Sequence, residues 1–382
     1  MALVKVQDML AHAYRHKYAV GAFDLFSLDA LQGILAASEE TRSPVILSLS
    51  GASFDLADIT LVMPSVVKAA RRAGVPVGLH FDFGRDTSAI VRAINLGCNS
   101  IMVDGSTLAA PEHAAMLREM VDTAKGCDAS VEVLIGTLDE AGSVQHILDL
   151  ARRSGADSLG VVLGDAGAAG VREGAFDSVA HINQALERPL VIHGGYGLSQ
   201  DHYRRLIDNG VAKINYHNAL HDLAFEQVKQ NLAKKHKADF NDLFQGIREI
   251  VRDEVVCCQQ MWGSAGHAGA VLEHCSVCKE VEHLIIYNVD QSMGPEAAAE
   301  MIAEGQRVLG AIPGVRRVFT GEAVRRDAAY QYCWLVRFAN ESVIASYRDH
   351  PDHVDFANTR FRPVAGNRIS IDYEEIENPW AF

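Results

Sequence analysis

The chain has no long hydrophobic run: nowhere does it hold the ~18 consecutive apolar residues that a membrane-spanning helix requires. Its first residues also lack the basic segment and apolar core of an export signal. Positive charge is scarce, because 35 Lys and Arg stand against 49 Asp and Glu, which gives a formal net charge of −14. Phosphate backbones bind to basic faces, so this balance disfavours nucleic acid as a partner. We therefore expect a cytoplasmic protein that binds neither membranes nor nucleic acids.

Cysteine is sparse and odd in number, with seven residues spread over a chain of 382. A secreted disulfide framework normally uses an even number of cysteines in a short chain. Seven scattered cysteines instead indicate thiols in a reducing compartment. A chain of this length can bury a large core and exceeds one ordinary domain, so we expect one large domain and one smaller domain.

Apolar strand-like runs alternate with amphipathic helical segments from about residue 18 to residue 218. Strand and helix repeat eight times, which predicts an α/β protein with a (β/α)8 TIM barrel. In such barrels the active site lies at the C-terminal ends of the strands. The eight runs are YAVGAFD, PVILSLS, VPVGLHFDF, SIMVDGS, SVEVLIG, SLGVVLG, PLVIHGG and VAKINYH.

The pattern changes after the barrel strands. Two long helices are expected over residues 218–237 and 240–261. From Val281 the predicted order of elements is β-α-β-β-α-β, which is typical of a ferredoxin-like α+β domain. We therefore divide the chain into a barrel of residues 1–268, a linker of residues 269–280 and a second domain of residues 281–382.

Motifs in the barrel region resemble the class II fructose-bisphosphate/tagatose-bisphosphate aldolase family. They are GAFDLFSLDALQ, VPVGLHFDF, SVEVLIG, PLVIHGGYG and AKIN, and they occur in the family's order. The resemblance implies a carbon–carbon lyase in which a zinc ion polarises a substrate carbonyl and an Asp moves a proton. Asp82 matches that Asp, and His80 matches the first His of the same segment.

Three metal-associated positions of the family have changed in this sequence. Phe83, Leu134 and Gly167 stand where the resemblance places a zinc-binding His, a metal-associated Glu and a second zinc-binding His. Only His193 of that set remains. A catalytic zinc site needs about three N, O or S ligands from the protein. We therefore predict that the barrel works without zinc, and we expect no cofactor in it.

The polar residues that remain at the strand ends suit metal-free acid/base chemistry on a small carbonyl or (phospho)sugar-like substrate. Asp82 or His193 would move the proton, with His80 and Glu132 as partners, and Lys213 would stabilise developing negative charge. The alternative is a non-catalytic scaffold whose barrel binds a metabolite. The candidate substrate-binding residues are Asp24, Ser50, Asp104, Gly194, Gly195 and Asn215.

The C-terminal region resembles the stress-responsive dimeric α/β-barrel (Dabb) family, through VEHLIIY, SYRDHPDHVDF and ISIDYE. Domains of that family usually pair, so the resemblance implies a homodimer or a higher homo-oligomer. His283, Tyr347 and His353 occupy positions that carry catalytic groups in active members. A further hypothesis therefore puts the active site here, whereas the alternative is a structural helix-end motif in a domain that only dimerises.

Cysteines cluster near the junction between the two domains. Cys275 and Cys278 form a Cys-x-x-Cys pair, and Cys258 precedes them on a predicted helix. With a fourth ligand these three could hold a structural zinc or an iron–sulfur cluster. The alternative is that they are buried small apolar residues.

Overall fold

The computed structural model describes residues 2–50, 58–84, 86–104, 111–138, 141–163, 173–234, 239–290, 292–374 and 376. The chain divides into two compact units. The first comprises Met1–Asp86, Cys98–Val121 and Ala129–Val277, and the second comprises Thr87–Gly97, Asp122–Asp128 and Cys278–Phe382.

Eight parallel strands form the first unit's closed barrel, in which each strand pairs with the next along the chain and the first pairs with the eighth. The predicted TIM barrel is confirmed. The strands are β1 Val20–Asp24, β2 Val45–Ser50, β3 Val77–Gly84, β4 Ser100–Asp104, β5 Ser130–Thr137, β6 Ser158–Val162, β7 Leu190–His193 and β8 Val211–Tyr216.

Helices precede, connect and follow these strands, and most of the described ones carry an apolar stripe. They are α1 Val6–His16, α2 Leu28–Thr41, α3 Ile59–Arg72, α4 Thr87–Leu96, α5 Pro111–Gly126, α6 Ala141–Ser154, α7 Glu173–Leu186, α8 Gln200–Asp208, α9 Asn218–Lys234, α10 Phe240–Leu243, α11 Ile247–Met261 and α12 Ala268–His274.

The two long helices predicted after the barrel differ from the observed ones. The first, α9, ends at Lys234, and residues 235–238 lie outside the described residues. The second, predicted as one helix, is broken into α10 and α11. Gly246 stands at the break with a φ of 83°, which is left-handed backbone that glycine adopts without steric cost. Close packing then fixes α11, because a Cβ on Gly33 of α2 would lie 2.7 Å from the Arg248 carbonyl oxygen.

The second unit contains a four-stranded antiparallel sheet. Its strands, in spatial order, are β10 (Val315–Glu322), β11 (Tyr332–Phe338), β9 (Val281–Tyr287) and β12 (Arg368–Glu374). This arrangement confirms the predicted ferredoxin-like α+β domain. A short helix, α15 (Pro351–Phe356), and a π-helix, Ala357–Phe361, follow α14 (Ser342–Asp349) and were not predicted. The elements are β9 Val281–Tyr287, α13 Pro295–Gly310, β10 Val315–Glu322, β11 Tyr332–Phe338, α14 Ser342–Asp349, α15 Pro351–Phe356 and β12 Arg368–Glu374.

Among the described residues, no helix is both long and apolar enough to cross a bilayer. All seven cysteines are thiols rather than disulfides. Cys258 is buried on α11, where its thiol lies 3.8 Å from a carboxylate oxygen of Glu254.

Candidate active site

Polar side chains line the inner face of the barrel at the carboxyl ends of its strands. On β3 they are His80 and Asp82, and on β8 they are Lys213 and Asn215, each pair two residues apart. Because successive side chains of a strand point to opposite faces, this spacing puts both members of a pair inside the barrel. Each is no more than 5% exposed. Such burial requires that these groups find polar partners.

Glu132, on β5, pairs with Lys213 across the barrel. Its Oε2 accepts a hydrogen bond from Lys213 Nζ at 2.6 Å, and both side chains are almost fully buried. Burial alone would raise the pKa of Glu132, but the Lys213 ammonium and the hydrogen bond from His193 bring it down to about 2. Glu132 is therefore a carboxylate at neutral pH. It already pairs with the Lys213 ammonium, which the sequence led us to expect would stabilise charge on the substrate.

His80 lies between Lys213 and Ser100. Its Nε2 is 2.9 Å from Lys213 Nζ, and its Nδ1 is 2.8 Å from Ser100 Oγ. An ammonium can only donate, so Nε2 accepts and the ring proton sits on Nδ1. Burial and the Lys213 charge lower the pKa of His80. His80 is thus a neutral, fully buried ring that positions Lys213, which differs from the direct catalytic partnership predicted for it.

His193, at the end of β7, is held by two partners. Its Nε2 donates to the second oxygen of Glu132, Oε1, at 2.6 Å, and the Asn215 amide nitrogen lies 2.8 and 3.0 Å from its ring nitrogens. Gly160 on β6 makes room for this pair, because a Cβ there would lie 2.7 Å from Glu132 Oε1 and 3.2 Å from His193 Nε2. A carboxylate that orients an imidazole in this way is the arrangement of a general acid/base.

A second group surrounds Asp82 on the β1–β8 side of the mouth. Asp82 Oδ2 accepts a hydrogen bond from His217 Nε2 at 3.0 Å, and His217 Nδ1 lies 3.4 Å from Asp24 Oδ2. The same oxygen of Asp24 is 2.6 Å from His221 Nε2. Asp24 and Asp82 are almost fully buried, whereas a quarter of the His217 side chain and about half of His221 are exposed.

Asp24, Asp82 and His217 shift one another's pKa values. Burial would lower the pKa of His217, but its hydrogen bonds with Asp24 and Asp82 raise it to about 10. Burial would raise the pKa of Asp82, and here the hydrogen bond from His217 outweighs it, so that the pKa falls well below its usual value. The pKa of Asp24 is lowered for the same reason, through His217 and His221.

The residues at the family's lost metal positions do not fit a zinc ion. Phe83 is 40% exposed, and its ring meets that of His193 edge-on at 6.2 Å, while Leu134 is buried. Neither side chain has a ligand atom. Gly167 lies outside the described residues. The one retained family ligand, His193, directs its Nε2 to Glu132.

The remaining substrate-binding candidates lie around the mouth. Ser50 and Asp104, the last residues of β2 and β4, are half-buried. Gly194 and Gly195 follow β7 with φ values of 79° and 84°, a turn that only glycine forms without strain. The Tyr203 hydroxyl donates to the Gly195 carbonyl oxygen at 2.8 Å and fixes that turn.

Two residues that were not singled out in the sequence, Gly160 and His221, prove central to the geometry. Gly160 has no motif signature, because its importance arises from the side chains of neighbouring strands. His217 and His221 carry one, since His-x3-His at the start of a helix puts both rings on one face.

In the second unit the structure brings the three predicted residues together. His283 Nδ1 donates to Asp372 at 2.6 Å, and the ring of Tyr347 lies 4.4 Å from that of His353 and 6.4 Å from that of His283. Burial raises the pKa of Tyr347 and lowers that of His353. Both groups are therefore neutral at pH 7.

Within the described ranges, one set of three or more His, Cys, Asp and Glu has ligand atoms that all lie within 4.8 Å of one another, and it consists of Asp24, His217 and His221. The hypothesis of a metal at Cys258, Cys275 and Cys278 stays a prediction.

Comparison with known proteins matches both parts of the chain. A model of class II fructose-bisphosphate aldolases matches residues 4–267, and a model of the stress responsive A/B barrel domain matches residues 281–375. Fructose-bisphosphate aldolase of Geobacillus stearothermophilus is 32% identical over 286 residues, which cover 70% of this chain and 99% of that protein. Sulfofructosephosphate aldolase of Alkalicoccus urumqiensis is 32% identical over 247 residues, 61% of this chain and 86% of that protein.

A solved structure agrees with these matches. The crystal structure of the YdjI aldolase from Escherichia coli K12 superposes with a TM-score of 0.63 at 29% sequence identity, covering 70% of this chain and 99% of that one.

Proposed function

This chain belongs to the class II fructose-bisphosphate aldolase family, and from that premise we propose that its barrel is an aldolase-type lyase. It forms or cleaves a carbon–carbon bond in a small carbonyl substrate. The observation that carries the proposal is the Glu132–His193 hydrogen bond of 2.6 Å at the barrel mouth. Two of the relatives named above are, by their names, aldolases of sugar phosphates, so a (phospho)sugar-like substrate is the class to test first.

His193 is the proton-moving group in this proposal. In the cleavage direction it takes the proton from the substrate hydroxyl, that carbon becomes a carbonyl, and the bonding electron pair passes to the neighbouring fragment as an enolate. Glu132 holds the ring and stabilises the imidazolium that forms. The Asn215 amide beside the ring is a neutral donor for developing negative charge. His193 then returns the proton to the enolate carbon.

Asp82 acts indirectly in this scheme. It matches the family's proton-moving Asp, but its side chain is fully buried and one of its oxygens accepts a hydrogen bond from His217. We therefore assign Asp82 to positioning His217 at the mouth. The reaction proceeds without an ion at the family's zinc position, because Phe83 and Leu134 supply no ligand atom there.

The second domain serves assembly in this proposal: two chains pair through it as a homodimer in the cytoplasm. A second candidate function has its own observation, since the Tyr347 ring lies 4.4 Å from that of His353 and 6.4 Å from that of His283 and is 4% exposed. Catalysis by the Dabb domain would pass through that tyrosine. If neither unit is catalytic, the barrel binds a metabolite as a scaffold.

A substrate panel separates the three functions. Purified protein is incubated with phosphorylated and unphosphorylated β-hydroxy ketones and 2-keto acids, and aldehyde and ketone products are measured by mass spectrometry. We expect His193→Gln to lose about 10²-fold or more in turnover and Tyr347→Phe to match wild type. Loss only in Tyr347→Phe would favour the Dabb domain, and the absence of turnover over the whole panel would favour the scaffold.

A further inference from the structure

A cluster of ligand-type side chains lies on the β1–β8 side of the mouth, away from the residues that match the family's zinc positions. Asp24 ends β1, His217 follows β8, and His221 lies in the first turn of α9. Their ligand atoms all lie within 4.8 Å of one another. The His-x3-His spacing at the start of α9 holds both rings towards the same carboxylate.

Distances within the cluster suit one ion. Protein ligands at about 2.1 Å from a tetrahedral zinc-like ion stand about 3.4 Å apart from each other. Asp24 Oδ2 is 2.6 Å from His221 Nε2 and 3.4 Å from His217 Nδ1. An ion between the three atoms requires the His221 nitrogen to move outwards, and that side chain is 48% exposed on the solvent side.

A neighbouring carboxylate orients one ligand of the cluster, as is usual in metal sites. His217 uses Nε2 to donate to Asp82 Oδ2 at 3.0 Å, which leaves Nδ1 facing Asp24. A ligand imidazole whose second nitrogen donates to a carboxylate is the usual support for a metal-binding histidine. Asp82 thereby fixes the ring with Nδ1 towards the ion, which takes the place of the Nδ1 proton when it binds.

Unsatisfied buried oxygens supply an independent observation. Asp24 is 2% exposed, and its Oδ1 has no hydrogen-bond partner among the described residues; the same is true of Oδ1 of the fully buried Asp82. A buried carboxylate oxygen without a partner costs free energy unless something charged or polar meets it. A divalent cation on Asp24 would also balance the two carboxylates that converge there.

We propose that Asp24, His217 and His221 bind a first-row divalent transition-metal ion, at a site displaced from the family's zinc position. Two imidazoles and one carboxylate are the donor set of such ions, and imidazole favours zinc, iron, nickel and copper over magnesium and calcium. The exposure of His221 leaves coordination positions open to solvent. The site goes beyond the proposed function and does not depend on it, because binding is measured without a substrate.

Cobalt is the probe for the test. The full-length protein is stripped of metal by a chelator and titrated with Co²⁺, while visible absorption and heat of binding are followed. The expected result is one Co²⁺ per chain, with weak d–d bands of nitrogen and oxygen ligation. His221→Gln should weaken Co²⁺ binding at least tenfold. Its matched control is His181→Gln, an exposed histidine on α7 that should bind as wild type does.

Asp24→Asn is the second variant, because it keeps the size of the buried side chain while removing its charge, and it should also lose the ion. Far-ultraviolet circular dichroism and the thermal midpoint confirm that each variant is folded. Unchanged Co²⁺ binding in the folded His221→Gln protein would overturn the proposal. So would an absence of stoichiometric binding, or an intense thiolate-to-cobalt band, which would locate the ion on cysteine.

Discussion

Lys213 is the residue on which the interior of the site depends. Its ammonium is 1% exposed, and its described contacts are Glu132 at 2.6 Å and His80 at 2.9 Å. A buried charge is stable only beside a counter-charge with which it is hydrogen-bonded. The same carboxylate that neutralises Lys213 also orients His193. One ion pair therefore links the stability of the barrel interior to the orientation of the proposed base.

Replacing Lys213 tests this dependence. We expect Lys213→Met to lower the free energy of unfolding by about 3–5 kcal/mol, because Glu132 would be left as an unpaired buried carboxylate. Urea denaturation measures the loss. The double variant Lys213→Met with Glu132→Gln should recover part of it, since no charge then remains unpaired. Equal stabilities for Lys213→Met and wild type would contradict this account.

Gly160 allows a change aimed at the Glu132–His193 pair. In Gly160→Ala the new methyl group would stand 2.7 Å from Glu132 Oε1, so the carboxylate must turn away from His193. We expect kcat to fall about tenfold or more while the protein stays folded. Steady-state kinetics and the thermal midpoint are measured together. Full kcat in a folded Gly160→Ala protein would show that the pair needs no such clearance.

Strand β3 shows how far an element can be predicted from its residues. Its apolar alternation predicts a buried parallel strand, and the spacing of His80 and Asp82 predicts that both point inwards. At its end, β3 and β4 change register between Phe81 and Gly84. Phe83 there adopts a φ of 60° and is 40% exposed. This irregularity depends on pairing with β4, so local sequence does not reveal that Phe83 turns towards the mouth.

The cluster of Asp24, His217 and His221 could not be predicted from the sequence for a related reason. The spacing of the two histidines is local, but their partner Asp24 lies almost 200 residues away along the chain. Only closure of β8 onto β1 brings them together. Likewise the break at Gly246 could not be predicted, because helical periodicity continues on both sides of it.

Helix α1 carries a histidine that makes stability depend on pH. His12 is buried beside Tyr18, whose hydroxyl is 2.9 Å from its Nδ1. Burial, then the neighbouring His16 and other cationic groups, lower the pKa of His12 from 6.5 to about 4. Between pH 6.5 and about 4, His12 binds a proton in the unfolded chain but not in the folded chain.

The folded state should therefore lose stability as pH falls from about 6.5 towards 4, at up to about 1.4 kcal/mol per pH unit from this group. Urea denaturation at several pH values measures the slope. His12→Gln should flatten it relative to wild type. An identical slope in the two proteins would exclude His12 as its source.

The whole molecule combines an aldolase-family barrel with a Dabb domain, and most of that architecture follows from sequence patterns. Eight strand–helix repeats and one β-α-β-β-α-β order predict both folds because their periodicities are local. The role of the second domain does not follow from such local patterns. The sheet of the second unit presents an apolar face, on which Ile369 and Ile371 of β12 pair with Ile286 and Leu284 of β9. Both β12 side chains are over 40% exposed.

That face is the surface through which we expect two chains to pair. Light scattering after size exclusion should give twice the chain mass for wild type and the chain mass for Ile371→Lys, because a charge would be buried at the interface. Ile376→Lys is the matched control, since Ile376 is 90% exposed beyond β12. A monomeric wild type, or a dimeric Ile371→Lys protein, would rule out pairing through this face.

The central claim is that His193, held by Glu132, moves a proton on a carbonyl substrate. Once the panel has identified a ketone substrate, the direct measurement is the rate at which the enzyme exchanges its α-hydrogen with deuterium from D₂O, followed by NMR. Wild type should exchange it, and Glu132→Gln should do so about 10²-fold more slowly while binding the ketone with similar affinity. Equal exchange rates in a folded Glu132→Gln protein would contradict the account.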